Sequence, residues 1–359
     1  MSIPEKMKAA CLVAKGKIEV KEVVVPKPGP GEVLLRVEAC GVCGTDVEIR
    51  DHGLPGQPLF GEHFIMGHEY AGTVVELGEG VDEFNVGERV AVEVHKGCGR
   101  CYNCIMGNYT VCLNYGNKEK GHAAGGMTVD GGFAEYTVNH VNTLYRIPDN
   151  ISFDYATLAT TAGCALYAFN IFGGYVAGDT IVVIGPGPVG LTLVQVGRGL
   201  GADNVVLVGT RKSRLEVGRK VGADYVVNVK EKEDPIDIVK KITNGFGAHV
   251  VFDAAGTSSS LETALDLAIA GGKIVMVAFY KDPVTVNMSK AVKKQIQLYT
   301  VRGEGRRNVG RALSIMAQGK IDLSPLITHS FPLEEIDKAF DTFVNRVDNA
   351  IKVVIHPQG

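Results

Sequence analysis

The sequence predicts an α/β protein of two domains, a small antiparallel β-barrel followed by a parallel sheet covered by helices on both faces. Three observations carry this. Its 359 residues exceed what one hydrophobic core usually serves. Up to residue 150, short runs alternate β-branched and polar residues between glycine- and proline-rich turns. Beyond residue 150, wholly apolar strands alternate with helices, as they do when a sheet is buried on both sides.

In the first part, EVLLRVEACGV (32–42), GTVVELG (72–78) and ERVAVEV (88–94) read as strands, punctuated by Pro28, Pro30 and Gly31. In the second, residues 180–210 read as strand, glycine turn, helix and strand, followed by a helix from Arg211 and the strand DYVVNV. HVVFDAAG (249–256), a helix from Ser258 to Ala270 and GGKIVMVAFY continue the alternation. The expected division is 1–153, 154–296 and 297–359. The last segment holds two helices and the strand AIKVVIHP, and its pattern alone fits either domain.

Composition narrows the function. Hydrophobic residues make up 45% and charged residues 21%, ordinary for a soluble globular protein. A net charge of −3 argues against a nucleic-acid partner or an anionic membrane surface. The first twenty residues lack the apolar core of a signal peptide, and no run approaches the roughly 18 apolar residues of a membrane span. The expected address is the cytoplasm, where thiols stay reduced.

That address bears on Cys98, Cys101, Cys104 and Cys112, spaced C-x2-C-x2-C-x7-C. The remaining cysteines, Cys11, Cys40, Cys43 and Cys164, are scattered, unlike the framework of a small secreted domain. Two-residue gaps bring thiolates around a tight turn onto one tetrahedral ion, so the cluster predicts a structural zinc site. An iron–sulfur cluster also uses close cysteines, but nothing else in the chain suggests electron transfer.

Two further constellations carry chemistry. VVIGPGPVG places Gly185, Gly187 and Gly190 between a strand and a helix, where the loop lets a pyrophosphate approach the helix N-terminus. CGTD (43–46) and GHE (67–69) supply Cys43, His68 and Glu69, three ligands that leave one position open, as catalytic zinc requires. Asp46 reads as a brace for that site. The strand after the glycine loop ends in Gly209 where an acidic residue usually meets the adenosine ribose, and Thr210, Arg211, Lys212 and Arg214 follow. Gly209 leaves room for a 2′-phosphate and Arg211 offers it a charged contact, so NADP is expected over NAD.

Together these residues resemble the zinc-dependent medium-chain alcohol dehydrogenases, from residue 7 to the end. GHEYAGTVVELGEGV (67–81), the cysteine lobe, GGFAEY (131–136) and the glycine loop occur in the family's order. PLITHSFPLEEIDKAF is similar to the sorbitol and polyol dehydrogenase branch, with threonine dehydrogenases close by. The resemblance implies a GroES-like catalytic domain holding two zincs, a Rossmann cofactor domain, a tail that returns to the catalytic domain, an active site between the domains, and a homotetramer or homodimer. It implies that Pro188, Val189, Ala255 and Val277 join the cofactor site, that Thr45 meets the substrate hydroxyl, and that Arg302 lies near a polyol. Glu48 stands where some relatives carry a proton-relay histidine, His52 is a second relay candidate, and Arg306 and Arg307 hint at an acidic sugar. Many relatives supply a cysteine or acid where this chain has Thr161, so Glu69 becomes the expected direct ligand. The implied activity is hydride transfer between a secondary alcohol, a polyol or sugar derivative, and NAD(P). The alternatives are a threonine dehydrogenase and a non-catalytic cofactor-binding protein, as some lens crystallins illustrate.

Overall fold

The computed structural model describes residues 3–58, 60, 63–305 and 307–359. Their contacts divide the chain into two compact units. One holds the residues up to Gly163 together with Gly303–Ala317 and Leu326–Gly359, and the other holds Cys164–Arg302 and Gln318–Pro325.

The first unit begins with strands β1 (Lys6–Ala14), β2 (Lys17–Val24) and β3 (Glu32–Val42). Helix α1 (Gly44–His52) follows, in a stretch whose sequence pattern predicts only strands and turns. Then come β4 (Phe64–Ile65), β5 (Glu69–Leu77), β6 (Arg89–Val92), β7 (His95–Lys96), α2 (Tyr102–Ile105), β8 (Ala123–Ala124), β9 (Tyr136–His140) and β10 (Leu144–Arg146). Helix α3 (Phe153–Asn170) carries the chain out of this unit.

The second unit alternates β11 (Thr180–Ile184), α4 (Pro188–Gly199), β12 (Asn204–Gly209), α5 (Lys212–Lys220), β13 (Tyr225–Asn228), α6 (Pro235–Ile242), β14 (Ala248–Asp253), α7 (Ser258–Leu267), β15 (Ala268–Met276), α8 (Ser289–Lys294) and β16 (Gln297–Thr300). Its six strands pair in parallel in the order β13-β12-β11-β14-β15-β16. At its centre β11 is buried along its whole length and β14 at every position but His249, as their mostly apolar runs require. Strand order reverses around β11, and the glycine loop leaves its C-terminal end, where open α/β sheets hold their ligands.

The chain then returns. α9 (Asn308–Ala317), β17 (Ile327–Pro332), α10 (Ile336–Asn345) and β18 (Lys352–His356) lie in the first unit. There β18 pairs with β3, setting Val353 against Val42 and Val354 against Gly41. On its other flank β3 pairs with β5, setting Gly41 against Glu69. The central strand β3 thus has the GHE segment on one side and the C-terminal strand on the other. Its apolar residues join Tyr70, Phe133, Phe340 and Val353 in the core of this unit. Among the described residues no helix is long and apolar enough to cross a membrane.

Candidate metal and nucleotide sites

Cys43 precedes the first residue of α1, in extended conformation. Its backbone N–H donates to Asp46 Oδ2 at 2.9 Å, so the third helical residue caps the helix start. Asp46 is fully buried, and its other oxygen accepts from Gly67 N at 3.3 Å and faces His68 Nδ1 at 3.0 Å. Gly67 is bound to this place. Its φ is +88°, and a Cβ there would meet Cys40 Sγ and a Phe133 ring carbon at 2.8 Å. One carboxylate therefore fixes both halves of the constellation. With Nδ1 turned to Asp46, His68 presents Nε2. Burial opposes a charge on this ring, but Asp46 and Cys43 outweigh it and lift His68 well above the usual histidine range.

One ligand atom each from Cys43, His68 and Glu69 lie within 4.8 Å of one another. A thiolate, an imidazole nitrogen and a carboxylate oxygen at that spacing match the donor set of a catalytic zinc with one open position. Glu69 is buried, and both of its oxygens are engaged. Oε1 accepts from Thr161 Oγ1 at 3.2 Å, and Oε2 forms a close ion pair with Lys352 Nζ. Thr161 thus touches the cluster through Glu69. Cys164 is not in this cluster. Lys352 has one signal in the sequence, a lysine inside the apolar run AIKVVI, which the motifs above do not include. Burial alone would lower its pKa, but the Glu69 charge outweighs it and raises the group above an ordinary lysine.

Thr45, Glu48 and His52 stand on α1 at the three- and four-residue spacing of one helix face. Thr45 Oγ1 lies 3.9 Å from Cys43 Sγ. Thr45 and Glu48 are half-buried and His52 is exposed, so the face runs outward from the cysteine to solvent.

The four-cysteine lobe gathers as its spacing suggests. Cys98 and Cys104 sulfurs lie 3.9 Å apart, and those of Cys101 and Cys112 lie 3.8 Å apart. A tetrahedral ion with sulfur at about 2.3 Å sets its ligands about 3.8 Å apart, whereas a disulfide needs about 2.05 Å. The thiols are free. Backbone Cys104 N donates to Cys101 Sγ, Asn114 N to Cys112 Sγ, and Asn114 Nδ2 to Cys98 Sγ. The Asn114 amide pulls Cys98 down to about 5, while burial pushes Cys104 up to about 12.

In the second unit the glycine loop has its own logic. Gly185 adopts φ +108°, and a Cβ there would sit 2.9 Å from the backbone at Ala254 and Ala255. A Cβ on Gly190 would lie 1.9 Å from Gly185 O, so loop and helix pack backbone to backbone. Gly187, by contrast, has nothing within 4 Å of its Cβ direction. Of the three glycines, the one left open precedes α4, where N–H groups await an anion. Pro188 is the first residue of that helix, and Pro188 and Val189 are half-buried.

Asp253 fixes the neighbouring strand ends. Its carboxylate accepts from Ala255 N, Gly256 N, Ser260 Oγ and Tyr280 OH, and its carbonyl accepts from Val277 N. At the end of β12, Gly209 meets a crowd. A Cβ there would lie 2.6 Å from Pro186 Cδ and Cγ, so its open side is filled by a proline ring rather than left free. Thr210 is exposed, Arg211 precedes α5 half-buried, and Arg214 is buried on that helix. Arg302 is half-buried and belongs to this unit. Arg307 is exposed, and Arg306 lies outside the described residues.

These features define a zinc-type dehydrogenase with a nucleotide-binding sheet, and comparison with known proteins places the chain. The alcohol dehydrogenase GroES-like domain family matches residues 29–149, and the zinc-binding dehydrogenase family matches residues 188–318. An L-threonine 3-dehydrogenase of Pyrococcus horikoshii is 36% identical over 90% of this chain and 91% of its own length. A sorbitol dehydrogenase of Bacillus subtilis is 30% identical over 99% of both. Two solved structures have a TM-score of 0.86. A zinc-binding dehydrogenase of Sinorhizobium meliloti 1021, bound to NADP, is 28% identical and covers 99% of this chain and 100% of that one. An Escherichia coli CFT073 protein described as a short chain alcohol dehydrogenase, complexed with NADH, is 29% identical and covers 98% and 100%. The chain belongs to the zinc-dependent medium-chain dehydrogenase family and is an oxidoreductase that uses a nicotinamide cofactor.

Proposed function

We propose that the protein oxidises a secondary alcohol, a polyol or sugar derivative, with two zincs per chain and NADP as the favoured coenzyme. The observation that carries this is the convergence of Cys43, His68 and Glu69, with Asp46 orienting the histidine. In this reading the catalytic domain, expected over 1–153 and 297–359, is the first compact unit, and the cofactor domain, expected over 154–296, is the second, which starts at Cys164 and keeps β16 in its sheet. It works in the cytoplasm as a homotetramer or homodimer.

Zinc held by Cys43, His68 and Glu69 would polarise the alcohol oxygen, and NADP would take the hydride. The remaining work falls to the chain. Cys43 and His68 are held to one another through Asp46, so the donor geometry is set before a substrate arrives. Thr45 relays the hydroxyl proton, releasing its own hydroxyl proton as it accepts the substrate's, and Glu48 or His52, outward on the same face of α1, passes it to water. The half-buried Glu48 thereby gains a function that a surface carboxylate would lack. Arg302 hydrogen-bonds the hydroxyl-rich substrate, for which a guanidinium fork is suited. Gly185, Gly187 and Gly190 seat the pyrophosphate, with Pro188 and Val189 starting the helix behind it. Ala255 and Val277, held at the strand ends by Asp253, flank the nicotinamide half.

A second reading, oxidation of the threonine hydroxyl, is favoured by the higher identity to the L-threonine 3-dehydrogenase. Both substrates carry a polar group beside a secondary carbinol. Purified protein is assayed for coenzyme reduction across a series of polyols, sugar acids and threonine, with elemental analysis for zinc. Turnover of a polyol with two zincs per chain is the expected result. Turnover of threonine alone replaces the first reading with the second. One zinc per chain in fully active protein defeats half of the metal assignment.

A further inference from the structure

We propose that Lys352 is a positioning residue of the metal site: it reaches across β3 over Gly41, fixes the Glu69 carboxylate and sets the net charge the alcohol meets. The inference rests on the reading of Cys43, His68 and Glu69 as metal ligands.

The sheet register builds the arrangement. Gly41 lies opposite Glu69 on β5 and opposite Val354 on β18. Lys352 stands two residues before Val354, and its chain bends back over the place where residue 41 has no side chain. A Cβ on Gly41 would lie 3.0 Å from Glu69 Oε2 and 3.5 Å from Lys352 Cδ. Any side chain there would crowd the ion pair. The backbone carbonyl of Val42 takes a second, longer contact from Nζ at 3.5 Å.

The arrangement has a cost that calls for a role. Lys352 is 1% exposed, and a lysine is almost never so buried unless paired. Such a pair stabilises little compared with an apolar replacement, because both ions lose their water. Its value lies in what it does to Glu69. Lys352 occupies one oxygen and Thr161 the other, so the carboxylate cannot rotate freely.

Charge gives the second effect. With a metal bound, a Cys43 thiolate and the carboxylates of Asp46 and Glu69 would bring three negative charges beside a neutral His68, and Lys352 would bring one positive. A divalent ion brings that total of minus two to zero. Without Lys352 the loaded site is left at minus one. An alcohol beside a net negative site gives up its proton less readily, so turnover would need a higher pH.

The test uses metal-stripped full-length protein titrated with Co²⁺ alone. The part of its absorbance lost in Cys43→Ser belongs to this site and not to the four-cysteine lobe. Lys352→Met should alter those bands and move the acidic midpoint of the turnover–pH profile upward by about one unit or more. Lys352→Arg should restore both. The double variant Glu69→Gln, Lys352→Met returns the loaded site to zero charge and leaves no unpaired buried ion. It should fold even if the single variant does not, and its midpoint should return to that of the wild type. An unchanged spectrum and an unchanged midpoint in Lys352→Met overturn the proposal and leave the metal reading standing. A Co²⁺ spectrum indifferent to Cys43→Ser overturns the metal reading itself, and this proposal with it.

Discussion

At the scale of single residues, Thr45 and Arg211 are the sharpest tests of the proposed chemistry. Thr45→Val keeps the shape of the side chain beside Cys43 and removes only the hydroxyl. If that hydroxyl relays the proton, kcat should fall by about 10²–10⁴, the range of lost acid–base help. Stopped-flow turnover with the best alcohol of the screen measures it, and an unchanged rate across pH means the proton leaves by another route. Coenzyme choice depends on a feature visible only in three dimensions. The missing acid at 209 has a packing explanation, because the Pro186 ring fills the side from which a side chain would grow. The packing calls for glycine there whichever coenzyme binds, so the proposed preference for NADP rests on Arg211 and Thr210. A charged hydrogen bond contributes about 1.5–3 kcal/mol, so Arg211→Ala should weaken NADP about 10- to 100-fold and leave NAD nearly untouched. Competitive titration of both coenzymes decides it, and equal losses for the two would remove the case for NADP.

At the scale of elements, the four-cysteine lobe and α1 differ in how far the chain announces them. The lobe's ligands sit within fifteen residues, so their spacing carries the geometry, and the sulfur separations follow from it. The glycine loop is equally local. Helix α1 is nine residues long and mostly polar, with only Asp46 and Ile49 buried, and it offers no apolar periodicity to read. Its start is nonetheless encoded, in the Asp46 that caps Cys43. If the lobe folds around an ion, as proposed, Cys104→Ser should lower the melting temperature and release metal more than it changes kcat. Burial pushes the Cys104 thiol up to about 12, so binding must expel its proton, and metal should be lost as pH falls. Zinc release followed with a colorimetric chelator from pH 8 to 5 checks this, with Cys43→Ser separating the two sites. Retention of the lobe's metal at pH 5 would contradict it.

At the scale of the whole molecule, the contacts that complete the candidate metal site span sequence distances that no local pattern reports. Lys352 meets Glu69 from 283 residues away, and Thr161 meets it from 92. A parallel sheet announces itself through apolar strands, but the return of β18 to β3 depends on a register that only the assembled core selects. The same long reach ties α9's approach to the cysteine lobe. Glu93 is buried just past β6, and its carboxylate accepts from Tyr109 in the lobe and from Tyr145 OH at 2.6 Å. Tyr109 OH in turn accepts from Arg307 N at 3.2 Å. Burial, reinforced by the nearby charge of Glu304 and opposed by the tyrosine hydroxyls and Arg307, pushes Glu93 up to about 7. Its folded pKa therefore lies above its unfolded one, so between about pH 4.5 and 7 the folded chain holds a proton that the unfolded chain has lost. Stability must then fall as pH rises through that window, by roughly 3 kcal/mol from this group, and stay level above it. Glu93→Gln keeps an acceptor for the tyrosines and removes the titration. Its stability relative to the wild type should rise from pH 5 to pH 8, measured as urea unfolding midpoints at one-unit steps. Two parallel curves would mean that Glu93 keeps its charge when folded and that the tyrosine hydroxyls fully offset its burial.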